Sequence, residues 1–303
     1  MQTAFTHTPW FVPDWPAPAQ VRSLCTTRHG GASAGPFDSL NLGDHVGDDP
    51  KAVVVNRARL QDAIAAGSPI ASLVFLQQVH GTKVVLLDMK SPYTQGLRAD
   101  ACVATQPGQV CTIMVADCLP VLLTNRQGSA VAAAHAGWRG LAGADSNSNV
   151  ASKGQGVLES VLESFWAAGG MQKAQGAIKI EAVKASLALN TPQAADTLAW
   201  LGPCIGPQAF EVGAEVRAAF CDHNAAAEQH FQRAGSGSSG KYLADLAGLA
   251  RQRLRAAGVT QIYGNDSTAA WCTAGNPSRF FSHRRDSVQL GSSGRFAVCI
   301  WRD

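Results

Sequence analysis

Between residues 99 and 137 the chain passes through four short apolar runs, "ADACVAT", "QVCTIMVADC", "LPVLLTN" and "SAVAAAHAG", parted only by turn-forming residues. Runs of this length bounded by Gly, Asn, Asp and Pro predict buried strands. The fold must therefore be built around sheet. Further runs of the same kind occur at 21–27 ("VRSLCTT"), 72–80 ("SLVFLQQVH") and 83–88 ("KVVLLD"), then at "LAWLGP", "QIYGN", "SRFFSHRRD" and "GRFAVCIW". The pairs flanking "HGT" and "NRQGS" read as hairpins. Apolar residues three and four apart predict helices over 156–168, 213–222 and 242–257, and the Ala-rich stretch 171–196 reads as one more. In 242–257, Leu243, Leu246, Ala250 and Leu254 share one face.

Strands first, then strands mixed with helices, argue for an α+β fold: a single-domain mixed β-sandwich flanked by helices, spanning 1–303. Two stretches low in apolar residues and rich in Gly and Ser, 143–156 and 234–241, read as mobile loop insertions.

With 46% hydrophobic and 16% charged residues, the 303-residue chain can bury a large core. Its net charge of +3 comes from scattered Lys and Arg, so no footprint for nucleic acid or a membrane surface is visible. Small diffusible substrates are the expectation, acted on by a monomer or small homo-oligomer. The N-terminal segment has no basic and then apolar signal, and no membrane span is evident elsewhere. Eight thinly spread cysteines, mostly inside apolar runs, favour reduced thiols and a cytoplasmic location.

Three segments place a metal-capable side chain where a buried run meets a turn: His80 in "LQQVHGT", Cys118 in "VADCLP" and His135 in "AAAHAGWRG". Spacings of 38 and 17 residues are too long for a zinc knuckle, so a cluster would have to be assembled by tertiary folding. Two His and one Cys suit Zn²⁺ or another borderline-soft ion and leave a fourth position open, the pattern of catalytic sites. Taken singly, each reads first as an ordinary turn histidine or a buried thiol.

The motifs "QQVHGTKV", "ADACVATQPG", "VADCLPVLL", "AAHAGWRGLAGA", "WLGPCIGPQAFEVGAEV", the "CT" at 272–273, and "FFSHRRD" followed by "GR" occur in order from about residue 20 to the C-terminus. Together they resemble the bacterial family known as multicopper polyphenol oxidoreductase (laccase). Its members are also described as purine nucleoside phosphorylases and as a peptidoglycan editing factor. The resemblance implies a metal site at His80, Cys118 and His135. It also implies phosphorolysis of adenosine, inosine, guanosine and methylthioadenosine, with zinc-dependent deamination of adenosine. The two Gly/Ser-rich stretches and 171–196 look longer than that pattern.

Under this reading His80, Cys118 and His135 are catalytic, Zn²⁺ is the expected cofactor with Cu²⁺ as alternative, and purine nucleosides and phosphate are the partners. Arg139 and Arg284 are candidates for binding phosphate, or else form structural ion pairs. Asn41, with His45 nearby, either lines the substrate pocket or forms Asx turns. Gln78 shares the face of His80 by strand alternation, and Phe281 is a candidate for base stacking. Cys272 enters on the resemblance alone. Asp117 points away from Cys118 and is expected to orient a ligand or bind loop amides.

Two rivals use the same atoms. A copper-dependent phenol oxidase is one, although none of the eight histidines forms the His-x-His pair that clustered coppers need. A cysteine-type amidase is the other, with Cys118 as nucleophile and His135 or His80 as base.

Overall fold

The computed structural model describes residues 9–87, 96–143, 155–171, 191–235 and 240–303. Residues 144–154 and 236–239 of the loops expected at 143–156 and 234–241, and 172–190 of the Ala-rich stretch 171–196, lie outside these residues.

One sheet is formed by β1 (Val21–Cys25), β2 (Ser72–Phe75), β5 (Gln109–Val115) and β13 (Phe296–Arg302), in the order β1-β13-β5-β2. A second contains β3 (Val84–Leu86), β4 (Ala101–Ala104), β6 (Leu119–Asn125), β7 (Val131–Ala136), β8 (Thr197–Leu201) and β12 (Gln261–Gly264), in the order β12-β8-β6-β7-β4-β3. A small third sheet joins β9 (Glu211–Gly213), β10 (Phe231–Arg233) and β11 (Lys241–Ala244). The helices are α1 (Pro50–Ala65), α2 (Trp138–Ala142), α3 (Val157–Met171), α4 (Pro192–Asp196), α5 (Ala214–Cys221), α6 (Leu246–Ala256) and α7 (His283–Leu290).

The two large sheets face one another, and strand alternation sorts their side chains into layers. Cys111, Ile113 and Val115 of β5 and Phe296, Val298 and Ile300 of β13 meet Cys102 of β4, Leu122 of β6 and Val131 and Ala133 of β7 between the sheets. Intervening residues point outward. Leu119, Val121 and Leu123 of β6 pack with Leu158, Val161 and Phe165 of α3 and Leu249 and Leu254 of α6. Val110 and Met114 of β5 pack with Leu60 and Ile64 of α1. With both faces covered, the central strands carry apolar residues at nearly every position, which explains the unbroken runs in the sequence. Among the described residues no helix is long and apolar enough to cross a membrane, and none of the eight cysteines is in a disulfide.

The mixed sandwich, the hairpin about "NRQGS" and the helices near 157, 214 and 246 agree with the sequence reading, except that the helix expected over 242–257 starts at Leu246 and Leu243 lies in β11, paired with Glu211 of β9. Three elements differ. The "HGT" hairpin does not form: β2 runs parallel to β5 in one sheet and β3 parallel to β4 in the other, so residues 76–83 cross between sheets. "SRFFSHRRD" is not a strand; its phenylalanines are core residues, and Ser282 caps α7 by accepting from the Arg285 amide. Helix α1 escaped the apolar periodicity because its inward stripe, Val53, Asn56, Leu60 and Ile64, has a polar member, while Val54 and Val55 face outward.

Asn56 is fully buried and fully used. Its amide donates to Ser33 Oγ (2.9 Å), the Ser39 carbonyl (3.2 Å) and the Asn41 carbonyl (2.8 Å), and its oxygen accepts from the Ala32 amide (2.7 Å). It thereby fastens the 28–43 loop to α1. Replacing Asn56 with Ala orphans these groups and should lower unfolding stability by about 3 kcal/mol, read as a fall in the urea midpoint.

Candidate active site

The chain crosses between the sheets twice at the same end of the sandwich. His80 lies in the 76–83 crossing, and Cys118 ends the short crossing Ala116–Asp117–Cys118 from β5 to β6. His135 sits on β7 with the parity of Val131 and Ala133, so its ring points between the sheets. Both crossings are tight enough to put a non-glycine residue at positive φ, His80 at 61° and Asp117 at 90°. Strain of this kind persists only where surrounding bonds hold it.

Asp100 holds the first crossing. Its carboxylate, completely buried at the start of β4, accepts from the amides of Val79 (3.1 Å), His80 (2.8 Å) and Gly81 (2.7 Å), and from His135 Nδ1 (2.8 Å). The Asp100 carbonyl accepts from the His135 amide (2.7 Å). Asp117 holds the second: its carboxylate accepts from Thr273 Oγ1 (2.6 Å) and the Arg284 amide of α7 (2.6 Å). The expected bond to a backbone amide forms, but to the first turn of a helix and not to a loop. Gly137 closes the arrangement, because a Cβ there would lie 2.7 Å from His80 Cδ2 and 3.0 Å from Cys118 Sγ.

These constraints bring His80, Cys118 and His135 together, one ligand atom from each lying within 4.8 Å of the others. Cys118 Sγ is 3.6 Å from His80 Nε2, and the imidazole rings are 4.7 Å apart and nearly perpendicular. A tetrahedral zinc site with Zn–S near 2.3 Å and Zn–N near 2.05 Å has an S···N edge of about 3.6 Å. The His80–Cys118 pair matches that edge. Because Asp100 fixes the Nδ1–H of His135, Nε2 is left as its donor atom. The donor set therefore fits a metal ion.

The same proximity governs protonation. Burial pushes the Cys118 thiol up, but the charge and hydrogen bonds of His135, joined by His80, bring it down to about 6. Burial lowers His135, and the Cys118 thiolate with Asp100 outweighs it, raising the imidazole to about 9. Burial raises Asp100, while His135 and the Gly81 and His80 amides hold it below the usual carboxylate range.

The cluster opens into a cavity of about 390 Å³ whose walls include Trp138, Phe210, Arg139, Arg284 and Arg295. His45 and His283 also reach it, and burial followed by the charge of Arg295 holds both below the ordinary imidazole range. The arginines are thus its permanent cations.

Of the residues singled out from sequence, His80, Cys118, His135, Gln78, Arg139 and Arg284 line the cavity. Gln78 uses its amide on β5, donating to the Met114 carbonyl and accepting from the Met114 amide, both at 2.8 Å. Asn41, Cys272 and Phe281 are not among its walls. Asn41 is buried, bonded to Gly43, Asp48 and the Arg295 amide. Cys272 Sγ accepts from the Gly206 and Gly275 amides at 3.2 Å. Phe281 lies in the core beneath Arg28, and the aromatic walls are Trp138 and Phe210 instead. Asp100 and Arg295 were not anticipated as site residues. Asp100 had a signal, a carboxylate heading the apolar run "ADACVAT"; Arg295 had only its place in the "GR" that follows "FFSHRRD".

A mixed β-sandwich whose cationic, aromatic-walled pocket holds a His-Cys-His cluster able to take a metal ion is the architecture of an enzyme. The chain belongs to the family described as multi-copper polyphenol oxidoreductase laccase, whose model matches residues 22–155 and 168–303. It is 44% identical to a purine nucleoside phosphorylase of Pseudomonas aeruginosa over 292 residues, covering 96% of this chain and 98% of that one. Purine nucleoside phosphorylase YfiH of Escherichia coli is also 44% identical, over 290 residues, 96% of this chain and 97% of the other. A crystal structure of a Neisseria meningitidis protein superposes with a TM-score of 0.76 at 40% identity, covering 97% and 99% of the two chains. YlmD from Geobacillus stearothermophilus gives 0.69 at 28% identity, covering 95% and 93%.

Two outcomes follow. An Asp100→Asn side chain must turn an NH₂ toward backbone N–H donors, so metal affinity should fall about 10- to 100-fold, measured by competition with a chromophoric chelator. In metal-free protein, Cys118 should react with iodoacetamide as thiolate. The rate should be full at neutral pH and drop as pH falls through about 6, whereas a free cysteine loses it below about 8.5.

Proposed function

We propose that the chain is a zinc-dependent purine nucleoside phosphorylase, acting on adenosine, inosine, guanosine and methylthioadenosine, which also deaminates adenosine in the same pocket. The observation that carries this reading is the meeting of a metal-ligand cluster, permanent cations and flat apolar walls in one cavity. Relatives named purine nucleoside phosphorylase, 44% identical over nearly the whole chain, support it.

In phosphorolysis a phosphate oxygen bonds to the anomeric carbon as the glycosidic C–N bond breaks. The purine leaves with the bonding pair and takes a proton, giving free base and sugar 1-phosphate. The arginines counter the charge of the incoming anion, and Trp138 and Phe210 offer faces for the purine. In deamination water adds at C6 and the amino group leaves as ammonia. Zinc held by His80, Cys118 and His135 would supply Lewis-acid polarisation of an oxygen. Asp100 keeps the His135 ring from turning, and the buried wall of β5 and β7 limits access of bulk water. The disulfide-free cysteines support a reducing, cytoplasmic setting. The same donors suit one copper ion, which is the form a phenol-oxidase activity would take.

A specific observation favours a second reading. Cys118, His135 and Asp100 stand in the order thiolate, imidazolium, carboxylate, as in cysteine hydrolases. Chromatography of products from adenosine and inosine, with and without phosphate, separates the readings. The phosphorylase should release free base and sugar 1-phosphate only with phosphate, lose at least about 100-fold in rate on metal removal, and recover with zinc. Amide cleavage that survives metal removal and is abolished by thiol alkylation would put the amidase in its place.

A further inference from the structure

The three arginines of the pocket differ in how they are held. Arg139 and Arg284 are exposed and engaged elsewhere: the Arg139 guanidinium lies 4.4 Å from the Trp138 ring centroid, and Arg284 Nη1 donates to the Glu211 carbonyl at 2.9 Å. Arg295 is half-buried. Its Nη1 donates to the carbonyls of Ser293 (2.8 Å) and Gly294 (3.1 Å), while Nε and Nη2 have no hydrogen bond or ion pair among the described residues. The nearby carboxylate of Asp117 is already bonded to Thr273 and the Arg284 amide. A cation withdrawn from water normally has a carboxylate partner. Here the charges that act on it, those of Cys118 and Asp117, reach it without a hydrogen bond to Nε or Nη2 among the described residues, so that edge is left to an anion that enters the cavity.

The backbone fixes where this cation stands. The Arg295 amide donates to Asn41 Oδ1 (2.8 Å), and the Arg295 carbonyl accepts from the Leu42 amide (2.9 Å). The side-chain stem runs over Gly43, where a Cβ would come within 2.9 Å of Arg295 Cγ. Asn41 is itself gripped by Asp48 and by Asn56 of α1. A run of buried amide bonds thus extends from helix α1 to the pocket wall.

We propose that Arg295 is the residue that binds the phosphate co-substrate, with Asn41 and Gly43 as the positioning residues that aim it. Two unpaired N–H groups on one planar edge suit two oxygens of a tetrahedral oxyanion. This inference rests on the phosphorylase reading for the identity of the anion, and on the geometry of Arg295 for its location.

The test measures KM for phosphate and for inosine, with zinc content and thermal midpoint recorded, for wild type, Arg295→Gln, Arg295→Lys and Gly43→Ala. Calorimetric titration of inorganic phosphate into each as-purified protein gives binding without turnover. Arg295→Gln should raise the phosphate KM about 10- to 100-fold and leave the inosine KM within about twofold. Arg295→Lys should be intermediate, because a single ammonium replaces the fork. Gly43→Ala should raise the phosphate KM although it keeps every charge. An unchanged phosphate KM in a folded, zinc-replete Arg295→Gln enzyme overturns the proposal, as does an effect confined to Arg139→Gln or Arg284→Gln. If wild type cleaves no nucleoside, the phosphorylase reading fails separately. Calorimetry then decides on Arg295: binding lost in Arg295→Gln upholds an oxyanion site there, and equal or no binding in both removes it.

Discussion

The site depends on one buried carboxylate. Asp100 accepts three successive backbone amides, Val79 to Gly81, and the imidazole of His135. The amide bonds hold His80 at its positive φ, and the imidazole bond selects which nitrogen of His135 faces Cys118. Two donors from segments 55 residues apart are therefore positioned by the same group. An ionised carboxylate offers enough lone pairs for four donors, and a neutral amide does not. Its burial is tolerable because every donor around it is aimed at it.

The sandwich supplies the rest by topology. A β2–β3 hairpin within one sheet would have left His80 beside its own strand. Crossing between sheets instead places it at the open end, where the β5–β6 crossing delivers Cys118. The two crossings converge because β5 lies beside β2 in one sheet, while β4 and β6 flank β7 in the other. Asp117 belongs to the same logic, since its positive φ turns the chain and its carboxylate ties the turn to α7. The polar pair inside "VADCLPVLL" is thus a sheet-to-sheet corner, one residue bracing it and the next facing the pocket.

What could be read in the sequence follows physical range. Alternation and turn residues are local, so the strands, the "NRQGS" hairpin and three helices were legible. The three residues of the cluster could be picked out because polar groups in apolar runs are conspicuous. Pairing partners are non-local, which is why the "HGT" segment passed for a hairpin. Helix α1 was hidden by Asn56, a polar residue whose burial makes sense only beside Ala32, Ser33, Ser39 and Asn41. Phe281 and Cys272 have the right chemistry for a pocket, but only packing shows that they point into the core. Arg295 shows the converse case: the "GR" that holds it counts only as part of the resemblance, and its place in the pocket wall, with no carboxylate bonded to its guanidinium among the described residues, is seen only in three dimensions.

The donor set alone does not choose among oxidase, phosphorylase and amidase, because two imidazoles and a thiolate serve all three. The surroundings weigh differently for each. Clustered coppers need more imidazoles, and among the described residues His80, Cys118 and His135 form the one group of three or more ligands close enough to share an ion. An amidase needs the thiolate free of metal, and His80, with its Nε2 3.6 Å from Cys118 Sγ and its ring 4.7 Å from that of His135, adds a second imidazole that a hydrolase dyad does not require. A phosphorylase must hold a multiply charged oxyanion beside an uncharged ring, and this pocket joins a half-buried guanidinium with no ion-pair partner among the described residues to walls of Trp138 and Phe210. The proposed phosphorylase reading gives both of these features a task.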